Sequence, residues 1–253
     1  MPAKHDIVCA DAAELAIQAA ACLVADIIDL LRHKRQVQVV FSTGETPLQT
    51  YAALRDQHRH ALAWQRVTLY QMDEYCGLAA GDPRRFQAYL REQLVDPLGL
   101  TSHLLRGDET DAQMQQYEAA LVQGGGLDVL LYGVGVNGHL GFNEPGTRFT
   151  AASRRVQLAP STVAQIDPAP GPVPQTAVTL GLQVLNQARR IRVMALGAKK
   201  QAALTAGLLQ PPDVAVPLSS LQACEQVRYY FDPAACPTDL RAQNKLIDST
   251  HVK

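Results

Sequence analysis

The sequence predicts one α/β domain, a Rossmann-like open, mostly parallel sheet with helices on both faces. Three observations predict it. Short apolar runs of strand length alternate with stretches of helical periodicity from about residue 37 to 232. Several of the runs are apolar throughout, as strands covered on both faces are. The residues with chemical potential, Thr43, Asp73, His139 and Lys200, each fall just after such a run. A parallel sheet gathers the carboxyl ends of its strands at one edge, where ligands bind. The 253 residues, 47% of them hydrophobic, can build the core of one large domain. No repeat or boundary divides residues 1–253.

Residues 7–10 form the first short strand. Asp11 caps a long helix whose Leu15, Ala19, Cys22, Leu23, Ile27 and Leu30 share a face. Asp26, Asp29, Arg32 and Lys34 fall off that face, so this helix reads as scaffold. Residues 37–41 are the next strand. They run into Ser42-Thr-Gly-Glu-Thr-Pro47 and then a helix over 48–58. Thr46 suits its N-cap and Pro47 its first turn. A strand, a glycine turn and a helix start place free N–H groups and the positive helix end at one point, which suits phosphate. The turn has neither Walker nor dinucleotide spacing, and an ordinary cap explains it equally well.

Residues 67–72 are a strand ending at the adjacent carboxylates Asp73 and Glu74, which point different ways. Asp82-Pro83 starts a helix through Phe86, Tyr89, Leu90 and Leu94, closed by Asp96-Pro-Leu-Gly99. Residues 104–106 are too short to assign. A polar-faced helix follows over 108–122, broken by Gly124-Gly-Gly126.

The most informative stretch is Leu127-Asp-Val-Leu-Leu-Tyr-Gly-Val-Gly-Val-Asn-Gly-His-Leu-Gly-Phe-Asn-Glu-Pro-Gly146. A buried strand over 127–132 opens it. Gly133, Gly135, Gly138 and Gly141 then let backbone approach a ligand closely. Asn137, His139, Asn143 and Glu144 are set among them. Beyond Gly146 a strand over 151–158 precedes Pro168, Pro170, Pro172 and Pro174, read as a surface loop and a candidate lid. A helix is expected over 177–188, a strand over 191–196, and a helix opened by Lys199 and Lys200. Lysine opposes the dipole at a helix start, so a bound anion would explain it; a solvated pair is the plain alternative. A strand over 227–231 comes last, and 238–253 reads as a polar, mobile tail.

Composition narrows the function classes. A formal net charge of −1 and no basic stripe argue against nucleic acid. Five scattered cysteines without C-x-x-C suit reduced thiols in a cytoplasm. The first six residues lack the apolar core of a signal peptide, and no apolar run is long enough to span a membrane.

Taken together, Thr43-Gly44-x-Thr46-Pro47, Met72-Asp-Glu-Tyr75 with Gly77-Leu78, and Gly133-x-Gly135-x-Asn137-Gly-His139-x-x-Phe142-Asn-Glu-Pro-Gly146 resemble the glucosamine-6-phosphate deaminase (isomerase) family. Ala177-Val-Thr-Leu-Gly181, Leu196-Gly-Ala-Lys-Lys200 and Pro217-Leu-Ser-Ser-Leu-Gln222 extend the resemblance over nearly the whole chain, in order. Phe142-Asn-Glu-Pro145 separates this branch from the related 6-phosphogluconolactonases, which share the Gly-His. The resemblance implies conversion of glucosamine 6-phosphate and water to fructose 6-phosphate and ammonia. Asp73 would be the base moving a proton from C2 to C1. His139 would open the sugar ring, with Glu144 as its carboxylate partner and Asn137 beside it. Thr43, Gly44, Thr46 and Lys200 would hold the phosphate, and Glu74 would be an acidic neighbour on the substrate side. These residue types suit the chemistry, since imidazole moves protons near neutral pH and a positioned carboxylate can take a C–H proton. No step requires a metal or a redox cofactor. The expected partner is a small amino-sugar phosphate, and the expected assembly a monomer or small homo-oligomer.

Two departures qualify the resemblance. Asn137 stands where many members carry Asp. The family's phosphate-binding arginine falls in a segment that is shorter here, 159–174, and contains none. Arg84, Arg85, Arg154 and Arg155 are the candidates to replace it. Both features recur in galactosamine-6-phosphate deaminases, so the galacto epimer is an alternative substrate. A non-catalytic sugar-phosphate-binding regulator is a second alternative.

Overall fold

The computed structural model describes residues 6–166, 171–242 and 246–247. Eleven strands run in chain order: β1 (Asp6–Cys9), β2 (Val37–Phe41), β3 (Val67–Tyr70), β4 (Asp73–Tyr75), β5 (Thr101–His103), β6 (Val129–Gly133), β7 (Arg154–Gln157), β8 (Thr176–Thr179), β9 (Arg190–Ala195), β10 (Val227–Phe231) and β11 (Leu246–Ile247). Eight of them form one sheet, in the order β11-β1-β10-β9-β6-β2-β3-β5. Every pairing in it is parallel. β4, β8 and β7 form a separate three-stranded antiparallel sheet.

The main sheet has two apolar faces. On β6, Leu130 and Tyr132 join one core cluster while Val129 and Leu131 join another. On β9, Val193 and Met194 divide the same way. The first cluster packs against the Gln201–Leu209 helix and the second against the Ala12–Leu31 and Leu48–Gln57 helices. Helices therefore cover both faces, as uniformly apolar strands require.

Strand order decides where the site lies. From β2 the chain steps outward to β3 and β5, then returns to β6 on the other side of β2 and proceeds to β9 and β10. Connections diverge between β2 and β6. Such a switch point opens a crevice at the carboxyl ends of its strands. The Thr43 turn follows β2, the glycine loop follows β6, and Lys200 follows β9, the next strand along.

Several local expectations change. Residues 177–188 are not one helix, since Ala177–Thr179 lie in β8 and only Leu182–Leu185 is helical. Alternate β-branched residues favour a strand, and β8 finds its partner in β4. Asp73–Tyr75, expected to follow a strand, is itself β4. The Leu48–Gln57 helix has Pro47, not Thr46, at its N-cap position. A turn forms first, with Leu48 N–H bonded to Glu45 O at 3.2 Å, so the Thr46 hydroxyl does not cap the helix. The next helix starts at Phe86 rather than beside Pro83, because Asp82 instead binds Arg84. It runs on through a π turn, Arg91–Val95, and stops at Gly99 with φ 68°. The 108–122 helix runs over Asp111–Gln123, capped by Thr110 and Gln113 reciprocally. Residues 101–103, not 104–106, make the edge strand β5.

Of the expected tail, Thr238–Ala242 is a helical turn and Leu246–Ile247 pairs with β1. Residues 243–245 and 248–253 lie outside the described residues, as do the first five residues and residues 167–170 of the proline-rich segment.

Two buried acids fix the amino-terminal edge. Asp128, fully buried before β6, accepts from Lys34 Nζ at 2.7 Å, Gln38 N–H at 2.9 Å and Arg189 Nε at 3.0 Å. Asp26 faces inward from the first long helix, contrary to its reading as off-face scaffold, and accepts from Arg192 Nε and Nη2, each at 2.8 Å. A buried charge stripped of its partner is far costlier than an intact pair is helpful. Asp26→Ala is expected to destabilise the fold by about 3–5 kcal/mol, the usual cost of breaking such a pair. A denaturant midpoint close to wild type would show instead that Arg192 finds another partner.

Candidate active site

Asp73 opens β4 and is 6% exposed. Its carboxyl is pushed up to about 8, first by burial and then by the neighbouring Glu74, against the lowering effect of the nearby Phe142 main-chain N–H. That N–H belongs to the glycine loop. Gly141, with φ +58°, brings the loop in, and a Cβ there would lie 2.9 Å from Met72 Sδ and 3.1 Å from Asp73 Oδ2. The loop carrying His139 therefore closes directly onto Asp73.

Glu74 points to the other side of β4, as alternation along a strand requires. It is 0% exposed and accepts from Gln71 Nε2 (3.1 Å) and the main-chain N–H groups of Tyr75 (3.0 Å), Phe86 (3.0 Å) and Gln87 (2.9 Å). It thus anchors the start of the Phe86 helix. The expectation that Glu74 meets substrate is corrected, because its carboxylate is enclosed by protein donors. Its influence on the site is its charge beside Asp73.

The loop beyond β6 holds a hydrogen-bonded relay. His139 Nδ1 lies 2.8 Å from Asn137 Oδ1 and 3.5 Å from Glu144 Oε2. Asn137 Oδ1 also accepts from His139 main-chain N–H at 3.1 Å, and Asn137 Nδ2 donates to Glu144 Oε2 at 3.2 Å. Flipping the amide would set Nδ2 against that N–H, donor to donor, so the orientation is determined. Nδ1 must then carry the proton and donate to Asn137. This leaves the Nε2 lone pair free to accept one. The ring lies flat on Gly135, where a Cβ would come within 2.3 Å of it. Glu144 is buried, which would raise its carboxyl, but bonds from His139, Thr162 and Asn137 outweigh this and hold it at about 2. Thr162 Oγ donates a short hydrogen bond to Glu144 Oε1.

Neighbouring segments hold this loop rigid. Asn143, fully buried, donates to Leu140 O (3.0 Å) and Leu180 O (2.9 Å) and accepts from Arg154 Nη1 (3.1 Å). Leu218 N–H bonds Gly138 O at 2.9 Å, so the Pro217–Ala223 3-10 helix braces the loop from behind.

The expected anion-binding residues flank the crevice. The Thr43–Thr46 turn follows β2, and Tyr89 Oη donates to Gly44 O at 2.7 Å. Lys200, at the N-cap position of the Gln201–Leu209 helix, is partly buried. Burial first, and Lys199 second, lower its pKa. No carboxylate pairs with it among the described residues. Ser42, whose hydroxyl is buried beside Gly133 without a partner among the described residues, is an addition that sequence reasoning passed over. Thr162 is another: it lies in the one-turn helix Pro160–Val163, which is too short to carry a periodic signal. Among the described residues, no three His, Cys, Asp or Glu side chains converge as a metal would need. A polar cavity of about 400 Å³ lined by Arg59, Trp64, Asp96 and Gly99 lies at the opposite edge, since those residues precede β3 and β5.

The family model described as Glucosamine-6-phosphate isomerases/6-phosphogluconolactonase matches residues 10–229. The chain belongs to this family. It is 33% identical over 226 residues to a glucosamine-6-phosphate deaminase of Rhodopirellula baltica, covering 86% of this chain and 90% of that protein. It is 34% identical over 218 residues to one of Halalkalibacterium halodurans, covering 83% and 89%. Among solved structures it resembles a monomeric glucosamine-6-phosphate deaminase with a TM-score of 0.83 and 29% identity, covering 91% of this chain and 98% of that one. A putative 6-phosphogluconolactonase of Neisseria gonorrhoeae shares the fold at a TM-score of 0.72 and 18% identity, covering 90% of this chain and 99% of that one. In this chain the loop beyond β6 is where Asn137, His139 and Glu144 gather.

The raised Asp73 carboxyl ties stability to pH. Its folded value, about 8, lies above the ordinary unfolded value of about 4, so the neutral form favours folding. That contribution is full below about pH 4 and lost as pH rises through about 8. Wild-type melting temperature is expected to fall between pH 5 and 9, and Asp73→Asn to flatten that fall. Parallel curves for the two proteins would mean that Asp73 titrates normally.

Proposed function

We propose that the protein is an isomerising deaminase that converts glucosamine 6-phosphate and water to fructose 6-phosphate and ammonia. The observation that carries this reading is the closure of the His139 loop onto the buried Asp73 at Gly141, where a Cβ would lie 3.1 Å from Asp73 Oδ2. It sets a carboxylate able to take a carbon-bound proton beside an imidazole able to move a proton between oxygens. The deaminases named above support the substrate assignment.

Ring opening comes first. His139 takes the O1 proton on Nε2 while Nδ1–H stays on Asn137, and returns it to the ring oxygen. The imidazolium that forms is stabilised by Glu144, which is already ionised with a carboxyl at about 2. Asn137 links the pair without accepting a proton.

Asp73 then takes the C2 proton and delivers it to C1. In the free protein its carboxyl at about 8 keeps it largely protonated near neutral pH. A substrate carrying an ammonium at C2 places positive charge beside it and favours the carboxylate. The C2 imine left after C1 protonation takes up water and releases ammonia, so atoms balance without an external oxidant or metal. The Thr43–Thr46 turn and Lys200 hold the phosphate, pairing main-chain N–H groups with a cation. Asn137, His139, Glu144 and Asp73 are thus the reacting set.

A monomer, like the relative of similar structure, fits a site built wholly within one chain. Free thiols at Cys22, Cys76, Cys224 and Cys236 fit a cytoplasmic setting.

Incubating the protein with glucosamine 6-phosphate should yield ammonia and fructose 6-phosphate in equal amounts. The galactosamine epimer serves as comparison, since C4 recognition rests on a few hydrogen bonds. Asp73→Asn should abolish exchange of the C2 proton with solvent deuterium, a loss of at least 10²-fold on the scale of general-base catalysis. Exchange retained in that variant would remove Asp73 as the base, and no ammonia from either epimer would reject the reaction.

A further inference from the structure

We propose that Arg84 is the second cation of the phosphate site, reaching the substrate's phosphate from the β3 flank of the crevice while Lys200 reaches it from the β9 flank. The proposal rests on the deaminase reading for the identity of the anion.

The observation behind it is an incomplete guanidinium. The Arg84 side chain is 5% exposed. Its Nε and Nη2 form a fork with Asp82, at 2.9 Å to Oδ1 and 2.6 Å to Oδ2. Nη1 is buried and has no hydrogen-bond partner among the described residues. Asp82 occupies one edge of the planar group, so Nη1 on the other edge is held at a fixed angle. A buried cationic N–H left unpaired is costly unless an acceptor arrives. An oxyanion is the acceptor that this planar geometry suits.

The other arginines considered are occupied or exposed. Arg85 donates from Nη2 to Arg106 O at 2.7 Å, and its Nε, also buried without a hydrogen-bond partner among the described residues, is turned to the Glu74 carboxylate at 3.9 Å as its ion pair. Arg154 binds Asn143, Ala152 and Thr147. Arg155 is exposed.

Position links Arg84 to the site by three routes. The ring of Phe86, two residues on, stacks against Phe142 at 5.8 Å between centroids. Phe142 is the residue whose N–H lies near Asp73. Tyr89, one helical turn beyond Arg85 and so about 6 Å along the axis, donates to Gly44 O in the expected phosphate turn. Arg84 Nη2 also abuts Gly171, where a Cβ would lie 3.7 Å away, in the segment that carries Thr162 to Glu144 and runs on into β8.

Calorimetric binding of fructose 6-phosphate and of inorganic phosphate to the full-length protein tests this. Arg84→Gln is expected to weaken both by about 10- to 100-fold, the range for a charged hydrogen-bonding group. Arg84→Lys should recover part of the loss, since it keeps charge without the fork. Asp82→Asn should weaken binding as well, by releasing the guanidinium from its fixed angle. Affinities within twofold of wild type in Arg84→Gln overturn the proposal. If that variant does not fold, wild-type affinity in both Arg84→Lys and Asp82→Asn does so. An effect on fructose 6-phosphate with inorganic phosphate unchanged overturns it too, because Arg84 would then touch the sugar. The deaminase reading fails separately: Arg84-dependent phosphate binding without ammonia release would keep this site and remove that reaction.

Discussion

One close approach organises the site: the glycine loop at Gly141 and Phe142 against the Asp73 carboxyl, where a Cβ at Gly141 would lie 3.1 Å from Oδ2. It brings together two parts of the fold that Asn143 also ties, through Leu180 and Arg154. Asp73 belongs to the small antiparallel sheet, and Phe142 to the loop emerging from the centre of the large parallel one. A single main-chain N–H nearby is weak compensation for a carboxyl this deeply enclosed, so burial and the charge of Glu74 prevail and the neutral form is favoured. The same constraint requires glycine at 141, where a side chain would strike Met72 and Asp73.

Acids and amides divide between frame and chemistry according to how completely the protein satisfies them. Glu74, with every neighbour a donor, is frame, and so is Asn143, whose three bonds tie the loop to β8 and Arg154. Glu144 lies between, sharing its oxygens among Asn137, Thr162 and His139, and is thereby kept charged. Asp73 is the group left underserved. A site that must move protons needs one acid whose ionised form waits for the ligand and one whose charge never changes. In the proposed reaction Asp73 and Glu144 divide those roles, and Asn137 sets the imidazole tautomer between them.

Much of this was legible in the sequence. The apolar runs at 37–41, 67–70, 129–132 and 227–231 became central strands, because strands covered on both faces need no alternation to be recognised. The glycine loop announced itself by spacing. What failed to show was whatever depends on distant pairing. β8 looked helical because four residues before a glycine carry little period, and β4 supplied the decisive partner. Glu74 looked like a substrate contact because sequence cannot tell which face of a three-residue strand is dry. Asp26 looked solvated because its partner Arg192 lies on a strand 166 residues away. Thr162 sits in a single helical turn and Arg84 in a loop, and neither element is long enough for periodicity to encode its contacts.

Direct titration of the Asp73 side chain tests the central claim most closely. In protein labelled with ¹³C at aspartate carboxyls, and assigned by comparison with Asp73→Asn, the Asp73 resonance should titrate with a midpoint near 8. A midpoint near the ordinary carboxyl value of about 4 would contradict the account, because the loop would then not enclose the base that the rest of the site is built to serve.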